Sequence, residues 1–204
     1  MSKQKLQYED FVQAAAILGC DVAAILAVDA IESRGTGFYP ETGEPVILFE
    51  RHQFHNATGG RFSKPENVNI SNPVSGGYKG GIVEHARLQA AAILDEEAAL
   101  RSTSWGRFQI MGFNYKLAGF DDLQSFINAM YHSEQAQLNA FVNYIKNTGL
   151  VRYMNAKDWA GFAMRYNGRA YAKNKYDIKL RQAYQKFKNE EANLKKANRN
   201  TEND

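Results

Sequence analysis

The sequence predicts a mainly α-helical protein with one small β element. Apolar residues recur at helical spacing in about eight segments, and most of these begin or end at a residue typical of helix caps. Only residues 45–51, Pro-Val-Ile-Leu-Phe-Glu-Arg, have the apolar, β-branched run of a strand. The chain has 204 residues, of which 44% are hydrophobic, so it is long enough for one domain with its own core.

Two helices are expected before the strand. Residues 8–18 carry apolar side chains three and four apart, and Gly19 ends this helix. Asp21 is a suitable N-cap for a second helix over residues 22–32. Gly35 follows its apolar run and is interpreted as the C-terminal cap.

A Gly-rich segment, residues 57–82, separates the first half of the chain from the second. It contains three Gly-Gly pairs and two prolines. We expect a functional loop rather than a linker, because the first 56 residues hold only two helices, a strand and a short helical piece at 52–56. Further helices are expected over 84–100, around 105–111 after a cap at 102–104, from Asp121 or Asp122 to Met130, from Ser133 to just before Gly149, from Asn155 or Asp158 to Gly168, and from Tyr176 to Phe187.

Charge and composition limit the classes of partner. The net charge of +3 suits an anionic polymer, but the chain has no run of five basic residues, so no nucleic-acid partner is expected. Residues 1–10 are polar and resemble no signal peptide, and no apolar run is long enough for a membrane span. Cys20 is the single cysteine, so an internal disulfide is excluded.

Glu32 is the first candidate for chemistry. It lies in the last turn of the second helix, where the negative end of the helix dipole disfavours a carboxylate. Partial burial acts in the same direction, so both effects raise its pKa. A carboxyl that stays protonated near neutral pH is what a general acid in glycoside hydrolysis requires. The alternative is a surface carboxylate that faces water.

Glu50 is the second candidate. Strand alternation places it on one face with Val46 and Leu48. A carboxylate that shares a face with Val and Leu is either functional or paired with an arginine, for example Arg34 or Arg51.

Two later segments hold polar side chains in apolar surroundings. Residues 104–111, Ser-Trp-Gly-Arg-Phe-Gln-Ile-Met, set Gln109 among apolar neighbours. Its amide either binds a sugar amide or hydroxyl, or is satisfied inside the core. In Tyr166-Asn167-Gly168 the asparagine is either a site residue or a helix cap. The four histidines form no known zinc pattern, and no phosphate loop or nucleophile elbow occurs, so neither a metal nor a cofactor is expected.

Taken in order, these segments resemble a known family. Residues 32–35, 45–52, 104–112 and 166–168 are similar to four motifs of the N-acetylmuramidases of phage endolysins and prophage lysins. Those motifs are Glu-Ser-Arg-Gly, Pro-Val-Ile-Leu-Phe-Glu-Arg-His, Ser-Trp-Gly-x-Phe-Gln-Ile-Met-Gly and Tyr-Asn-Gly. Shorter versions also resemble goose-type lysozymes and lytic transglycosylases. The resemblance extends over residues 8–187.

The resemblance implies a lysozyme-like α+β muramidase domain over residues 1–188, with a polar C-terminal tail at 189–204. Its implied reaction is hydrolysis of the β-1,4 bond between N-acetylmuramic acid and N-acetylglucosamine. Glu32 matches the catalytic acid, and Glu50 is implied either as the base that activates water or as a residue that orients the site. The separation of the two carboxyls distinguishes inversion from retention. The implied substrate-binding residues are Ser33, Ser104, Gln109, Tyr166 and Asn167.

The resemblance also implies a biological setting. The expected partner is the glycan strand of peptidoglycan, and the expected state is a monomer without stable membrane insertion. With no signal peptide expected, the protein would accumulate in the host cytoplasm and act on the cell wall or periplasm after holin-dependent release. Two alternatives stay open: a lytic transglycosylase that uses the same Glu32 and gives 1,6-anhydro products, and a non-catalytic peptidoglycan-binding protein.

Overall fold

The computed structural model describes residues 3–33 and 35–201, with side chains up to Leu194. Within these residues it has ten α-helices and three short strands. The helices are α1 (Tyr8–Leu18), α2 (Val22–Glu32), α3 (Arg51–Ala57), α4 (Val83–Ala92), α5 (Glu96–Arg101), α6 (Leu123–His132), α7 (Glu134–Asn147), α8 (Val151–Ala156), α9 (Trp159–Tyr166) and α10 (Tyr176–Thr201). The strands are β1 (Ile47–Phe49), β2 (Thr103–Trp105) and β3 (Ile110–Met111). The predicted class, mainly α with a small β element, is confirmed.

The chain forms two compact units. The sheet unit contains Thr36–Tyr144 together with the described start of the chain up to Lys5, and the helical unit contains Leu6–Gly35 and the chain from Ile145 onward. The extent of the expected domain, residues 1–188, stays a prediction.

The helical unit is built around α2, much of which is fully buried. Its residues without exposed surface are Ala23, Ala24, Ile25, Ala27 and Val28. Small side chains allow close packing, and both α1 and α10 lie against α2. Helix α9 packs against α10, where the ring of Trp159 lies 5.3 Å from that of Tyr184. This packing lays α10 alongside the helix that ends at Glu32.

The helix starts and ends expected near the N-terminus are largely confirmed. Gly19 has a φ of 63° and ends α1. Glycine adopts this left-handed backbone conformation without steric cost. Asp21 is the N-cap residue of α2, but its carboxylate does not cap the helix. It accepts hydrogen bonds from Lys157 Nζ and the Tyr184 hydroxyl, both at 2.7 Å, and these contacts lower its pKa.

Three details of the helical unit differ from expectation. The C-cap of α2 is Ser33 and not Gly35, because Ser33 directly follows the helix and its N–H still bonds to the Asp29 carbonyl at 2.9 Å. The short helix α8 was not predicted. Helix α10 continues to Thr201, so most of the polar segment 189–204 is helical; its Lys, Glu and Ala residues have a high helix propensity.

The sheet unit contains one three-stranded antiparallel sheet in the order β1-β2-β3. Ile47 pairs with Trp105, and Trp105 in turn pairs with Ile110. The prediction of a helix around residues 105–111 is therefore wrong. Gly106 and Gln109, at φ values of 70° and 49°, form a turn that no helix accommodates.

The prediction of a single helix over residues 84–100 is also wrong. The segment forms α4 and α5, and Asp95 separates them as an N-cap whose carboxylate accepts the Ala98 N–H at 3.0 Å. The remaining expected helices are confirmed, with Asp122 capping α6 and Asp158 capping α9.

Two buried polar residues at the start of α7 fix turns of the sheet unit. Glu134 accepts the Gly37 N–H at 2.7 Å and pairs with Arg107 at 2.9 Å. Gln137 Oε1 accepts the Arg107 N–H at 2.7 Å. A Cβ atom on Gly106 would lie 2.7 Å from the Gln137 carboxamide carbon. The strand turn and the segment around Gly37 are thus held by the same helix end.

In the described part of the chain no single helix is long and apolar enough to cross a membrane. Helices α1 and α2 meet the length and composition criteria only as a pair, which is bent by 117°. Among the same residues there is no cluster of three or more His, Cys, Asp or Glu side chains that could hold a metal ion.

Candidate active site

Glu32 is the last residue of α2 and is half-buried. The side-chain amide of Asn167 donates a hydrogen bond to its Oε1 at 2.7 Å. Burial raises the pKa of Glu32 to about 7, against the opposing effects of the Asn167 hydrogen bond and the Lys179 charge. Near neutral pH the carboxyl can therefore both hold and release a proton.

The surroundings of Glu32 come from α9 and α10. Asn167 is the C-cap residue of α9, and its Oδ1 is buried without a hydrogen-bond partner among the residues that the structure describes. On α10, burial and the charge of Glu32 raise the pKa of Tyr176, and Lys179 follows one turn later. A buried amide oxygen without a donor is uncommon in folded proteins and fits a ligand N–H group.

Glu50 lies directly after β1, as the N-cap residue of α3. It is half-buried, as are Val46 and Leu48, whereas the alternate strand residues are buried, so the predicted alternation extends to Glu50. Its Oε2 accepts a hydrogen bond from the Tyr78 hydroxyl at 2.7 Å. His52 Nδ1 lies 3.2 Å from the same oxygen, in a geometry that does not make a hydrogen bond.

The alternative for Glu50, a pair with an arginine, is not found for Arg51. The Arg51 guanidinium instead donates to the carbonyls of Val74 at 2.9 Å and Val68 at 3.2 Å, in the Gly-rich loop. Arg34, the other choice, lies outside the described residues.

Ser104 and Gln109 are hydrogen bonded to each other. The Ser104 hydroxyl donates to Gln109 Oε1 at 2.9 Å. The Gln109 amide donates to the carbonyls of Gly106 at 2.8 Å and Val46 at 3.3 Å. Both amide hydrogens thus bond to backbone carbonyls, one in the turn and one just before β1, which favours the structural alternative for Gln109 and leaves one lone pair on Oε1.

The remaining two expected site residues flank the Glu32 region. Ser33 is 4% exposed, and its hydroxyl is engaged with Gly35. Tyr166 is the last residue of α9, and its ring stacks on Phe162 at 5.3 Å.

Within each unit the structure brings some predicted residues together. Glu32 contacts Asn167 in the helical unit, and Ser104 contacts Gln109 in the sheet unit. Sequence reasoning missed Tyr78, Tyr176 and Lys179, which no motif marked. The position of Tyr78 between two Gly-Gly pairs is the one local feature of the sequence that sets it apart.

Comparison with known proteins identifies the family. The family model Muramidase, described as N-acetylmuramidase, matches residues 21–188. The chain belongs to the N-acetylmuramidase family. The matched range of this muramidase includes all seven expected site residues, and the family assignment makes peptidoglycan its substrate and hydrolysis its reaction.

A solved structure is similar to this muramidase over most of its length. It is the crystal structure of Burkholderia AP3 phage endolysin, which is 42% identical in sequence and aligns with a TM-score of 0.80. The alignment covers 91% of this chain and 71% of that chain. The comparison with curated proteins gives no match.

Proposed function

We propose that this muramidase is a glycoside hydrolase that cleaves the β-1,4 bond between N-acetylmuramic acid and N-acetylglucosamine, with Glu32 as general acid. The observation that carries the proposal is the half-buried Glu32 carboxyl, with a pKa of about 7, in contact with Asn167. A general acid works best when its pKa lies near the working pH, because it is then protonated and still a competent donor.

Because Asn167 contacts one of them, the two carboxyl oxygens of Glu32 have different roles in the proposed reaction. Oε1 accepts the Asn167 N–H, so Oε2 is the oxygen that carries the acidic proton. During cleavage Oε2 protonates the glycosidic oxygen as positive charge develops on the sugar ring. The resulting carboxylate keeps its hydrogen bond to Asn167 and the charge of Lys179 nearby, and both stabilise it.

Asn167 also offers a binding group for the substrate. Its buried Oδ1 has no donor among the described residues, and both sugars of peptidoglycan carry an acetamido N–H. An N–H from the sugar at this oxygen would satisfy Asn167 and place the ring beside Glu32. Tyr166, the preceding residue, is proposed to contact the same sugar, and Ser33 to hold the chain just beyond Glu32.

Glu50 is proposed as the second carboxylate of the reaction. Its Oε2 is engaged by Tyr78, so Oε1 is the oxygen that would accept a proton from the attacking water. The Gly-rich loop that carries Tyr78 is proposed to form a wall of the binding site. Ser104 and Gln109 would support that site through the shape of the turn and the free lone pair of Gln109.

The similarity to a phage endolysin supports a role in lysis of the bacterial cell wall. We propose that the protein works as a monomer, accumulates in the host cytoplasm and reaches the wall after holin-dependent release. Expression with and without a holin tests this point: lysis should begin only with the holin, and lysis of cells that lack it would contradict the proposal.

Product analysis tests the proposed reaction. Purified sacculi are digested, the fragments are reduced with borohydride, and mass spectrometry identifies the chain ends. Hydrolysis at N-acetylmuramic acid gives ends that are reduced to muramitol. Dominant 1,6-anhydro ends, which are lighter by one water and resist reduction, would show a lytic transglycosylase. Wall binding without released fragments would show a non-catalytic binding protein.

The role of Glu50 is tested by Glu50→Gln in the same digestion. A base variant should lose most of its hydrolytic rate while Glu32 stays intact. For the wild-type enzyme, the anomer that proton NMR detects in fresh product reports the stereochemistry, since inversion at a β bond gives the α anomer. Glu50→Gln with wild-type turnover would remove Glu50 from the mechanism.

A further inference from the structure

We propose that Tyr78 is a positioning residue for Glu50, and that the buried pair Glu84–Arg87 holds both of them in register. This inference rests on the proposed role of Glu50 as the second carboxylate. It assigns a function to the Gly-rich loop, which no motif of the family resemblance explains.

The contact between Tyr78 and Glu50 crosses from the loop to the end of β1. The Tyr78 hydroxyl donates to Glu50 Oε2 at 2.7 Å, although the tyrosine side chain itself is 44% exposed. Burial of the hydroxyl and the Glu50 carboxylate raise the pKa of Tyr78. The hydroxyl therefore stays protonated, and a donor, at neutral pH and well above it, which fixes one carboxylate oxygen of Glu50 and leaves the other for chemistry.

Glu84 ties the loop to the residue that precedes Glu50. It is fully buried on α4, and its carboxylate accepts the N–H groups of Lys79 at 2.6 Å, Gly80 at 2.9 Å and Phe49 at 3.2 Å. Lys79 directly follows Tyr78 in the chain, and Phe49 directly precedes Glu50. One carboxylate thus anchors both neighbours of the Tyr78–Glu50 contact.

Arg87 completes this anchor from the next turn of α4. It donates to Glu84 at 2.6 Å and to the carbonyl of Phe49 at 3.0 Å. It also donates to the carbonyl of Asn69 at 2.6 Å, further back in the loop. Breaking a buried ion pair is strongly destabilising, and this pair has five backbone partners, so it can hold two separate segments rigidly.

The backbone of the loop fits the same arrangement. Gly77 has a φ of 76°, and a Cβ atom there would lie 2.6 Å from the Arg51 guanidinium. Arg51 in turn donates to two carbonyls of the loop. Tyr78 from the loop and His52 from α3 lie against Glu50, while Arg51, Glu84 and Arg87 bind the backbone on either side of this contact.

Tyr78→Phe tests the proposal, with Tyr115→Phe as the matched control. Tyr115 lies in the same unit, and its ring contacts Arg101 and Lys116. Loss of a hydrogen bond to a charged group should lower kcat about tenfold with KM within about twofold. The carbon NMR resonance of the Glu50 carboxyl at neutral pH should also move, because the carboxylate loses a hydrogen-bond donor. The control should change none of these quantities.

A double variant separates positioning from direct contact with the substrate. If Tyr78 acts through Glu50, Tyr78→Phe should cause no further loss of activity in a Glu50→Gln background. An additive loss, or a rise of KM with kcat unchanged, would overturn the proposal. An unchanged carboxyl resonance of Glu50 in Tyr78→Phe would also overturn it. Full activity of Glu50→Gln would remove the proposed role of Glu50 alone, because the NMR resonance does not depend on turnover.

Glu84→Asp tests the anchor while the charge is kept. The shorter side chain cannot reach all its partners, so the amides of Lys79 and Gly80 should exchange with deuterium faster and kcat should fall as in Tyr78→Phe. Unchanged exchange and unchanged kcat would contradict the anchoring role. If this variant fails to fold, Tyr78→Phe still decides the proposal.

Discussion

The side-chain amide of Asn167 donates to Oε1 of Glu32 at 2.7 Å, and this contact joins the end of α9 to the end of α2. This hydrogen bond lowers the pKa of Glu32. Burial of the carboxyl raises the pKa by more, and the resulting pKa is about 7. The two effects oppose each other, so the acidity of Glu32 depends on a balance that single substitutions can move in either direction.

The activity should fall on the alkaline side as Glu32 loses its proton. Only the protonated carboxyl can donate to the glycosidic oxygen, so kcat/KM should decline as the pH rises through about 7, the pKa of Glu32. The measurement is kcat/KM on soluble glycan strands across the neutral range at constant ionic strength. An enzyme that keeps full activity well above neutral pH would contradict this assignment.

Asn167→Ala should move this alkaline limb to higher pH. The substitution removes an interaction that stabilises the charged form of Glu32, so the pKa of the carboxyl should increase further. It also removes the proposed acceptor for the sugar N–H, so kcat/KM should fall by about tenfold or more at its optimum. A limb that shifts to lower pH would show that Asn167 favours the protonated acid instead.

Glu32→Gln should stabilise the fold at alkaline pH. The folded state binds the Glu32 proton more tightly than the unfolded chain, so the wild type loses stability as the pH rises from the usual carboxyl range toward about 7. The neutral variant avoids that loss. Urea denaturation should show similar stability at about pH 4 and a variant more stable by about 2 kcal/mol at about pH 8. A less stable variant at pH 8 would contradict the burial that we describe.

Gly106→Ala should destabilise the protein more than Gly43→Ala. Both glycines have positive φ, 70° and 72°, so both substitutions carry the same backbone cost. A Cβ atom on Gly106 would meet the Gln137 carboxamide at 2.7 Å, whereas nothing lies within 4 Å of one on Gly43. Chemical denaturation should therefore show about 1–3 kcal/mol of extra loss for Gly106→Ala. Equal losses would mean that Gln137 moves away without cost.

Local sequence patterns predicted the elements whose cause is local. Helices α1, α7 and α9 follow from apolar spacing and from caps such as Gly19, Ser133 and Asp158. The β2–β3 hairpin was missed because Trp105, Phe108 and Met111 are spaced like one face of a helix. Its turn is held by Gln137, far away in sequence, so no local pattern could show it.

The same distinction holds for the candidate site. Glu32, Glu50 and Asn167 lie in short motifs at the ends of elements and were predicted. Tyr78 and the Glu84–Arg87 pair reach Glu50 and its neighbour from 28 or more residues away in sequence, so only the fold reveals their contacts.

Turnover of purified sacculi by Glu32→Gln tests the central claim most directly, with Glu96→Gln, an exposed glutamate of α5, as the control. Circular dichroism should show the same fold for both variants. Glu32→Gln should lose about a thousandfold of the turnover, since its amide cannot donate the proton, while Glu96→Gln should match the wild type. Activity of Glu32→Gln within about tenfold of the wild type would mean that another residue is the general acid.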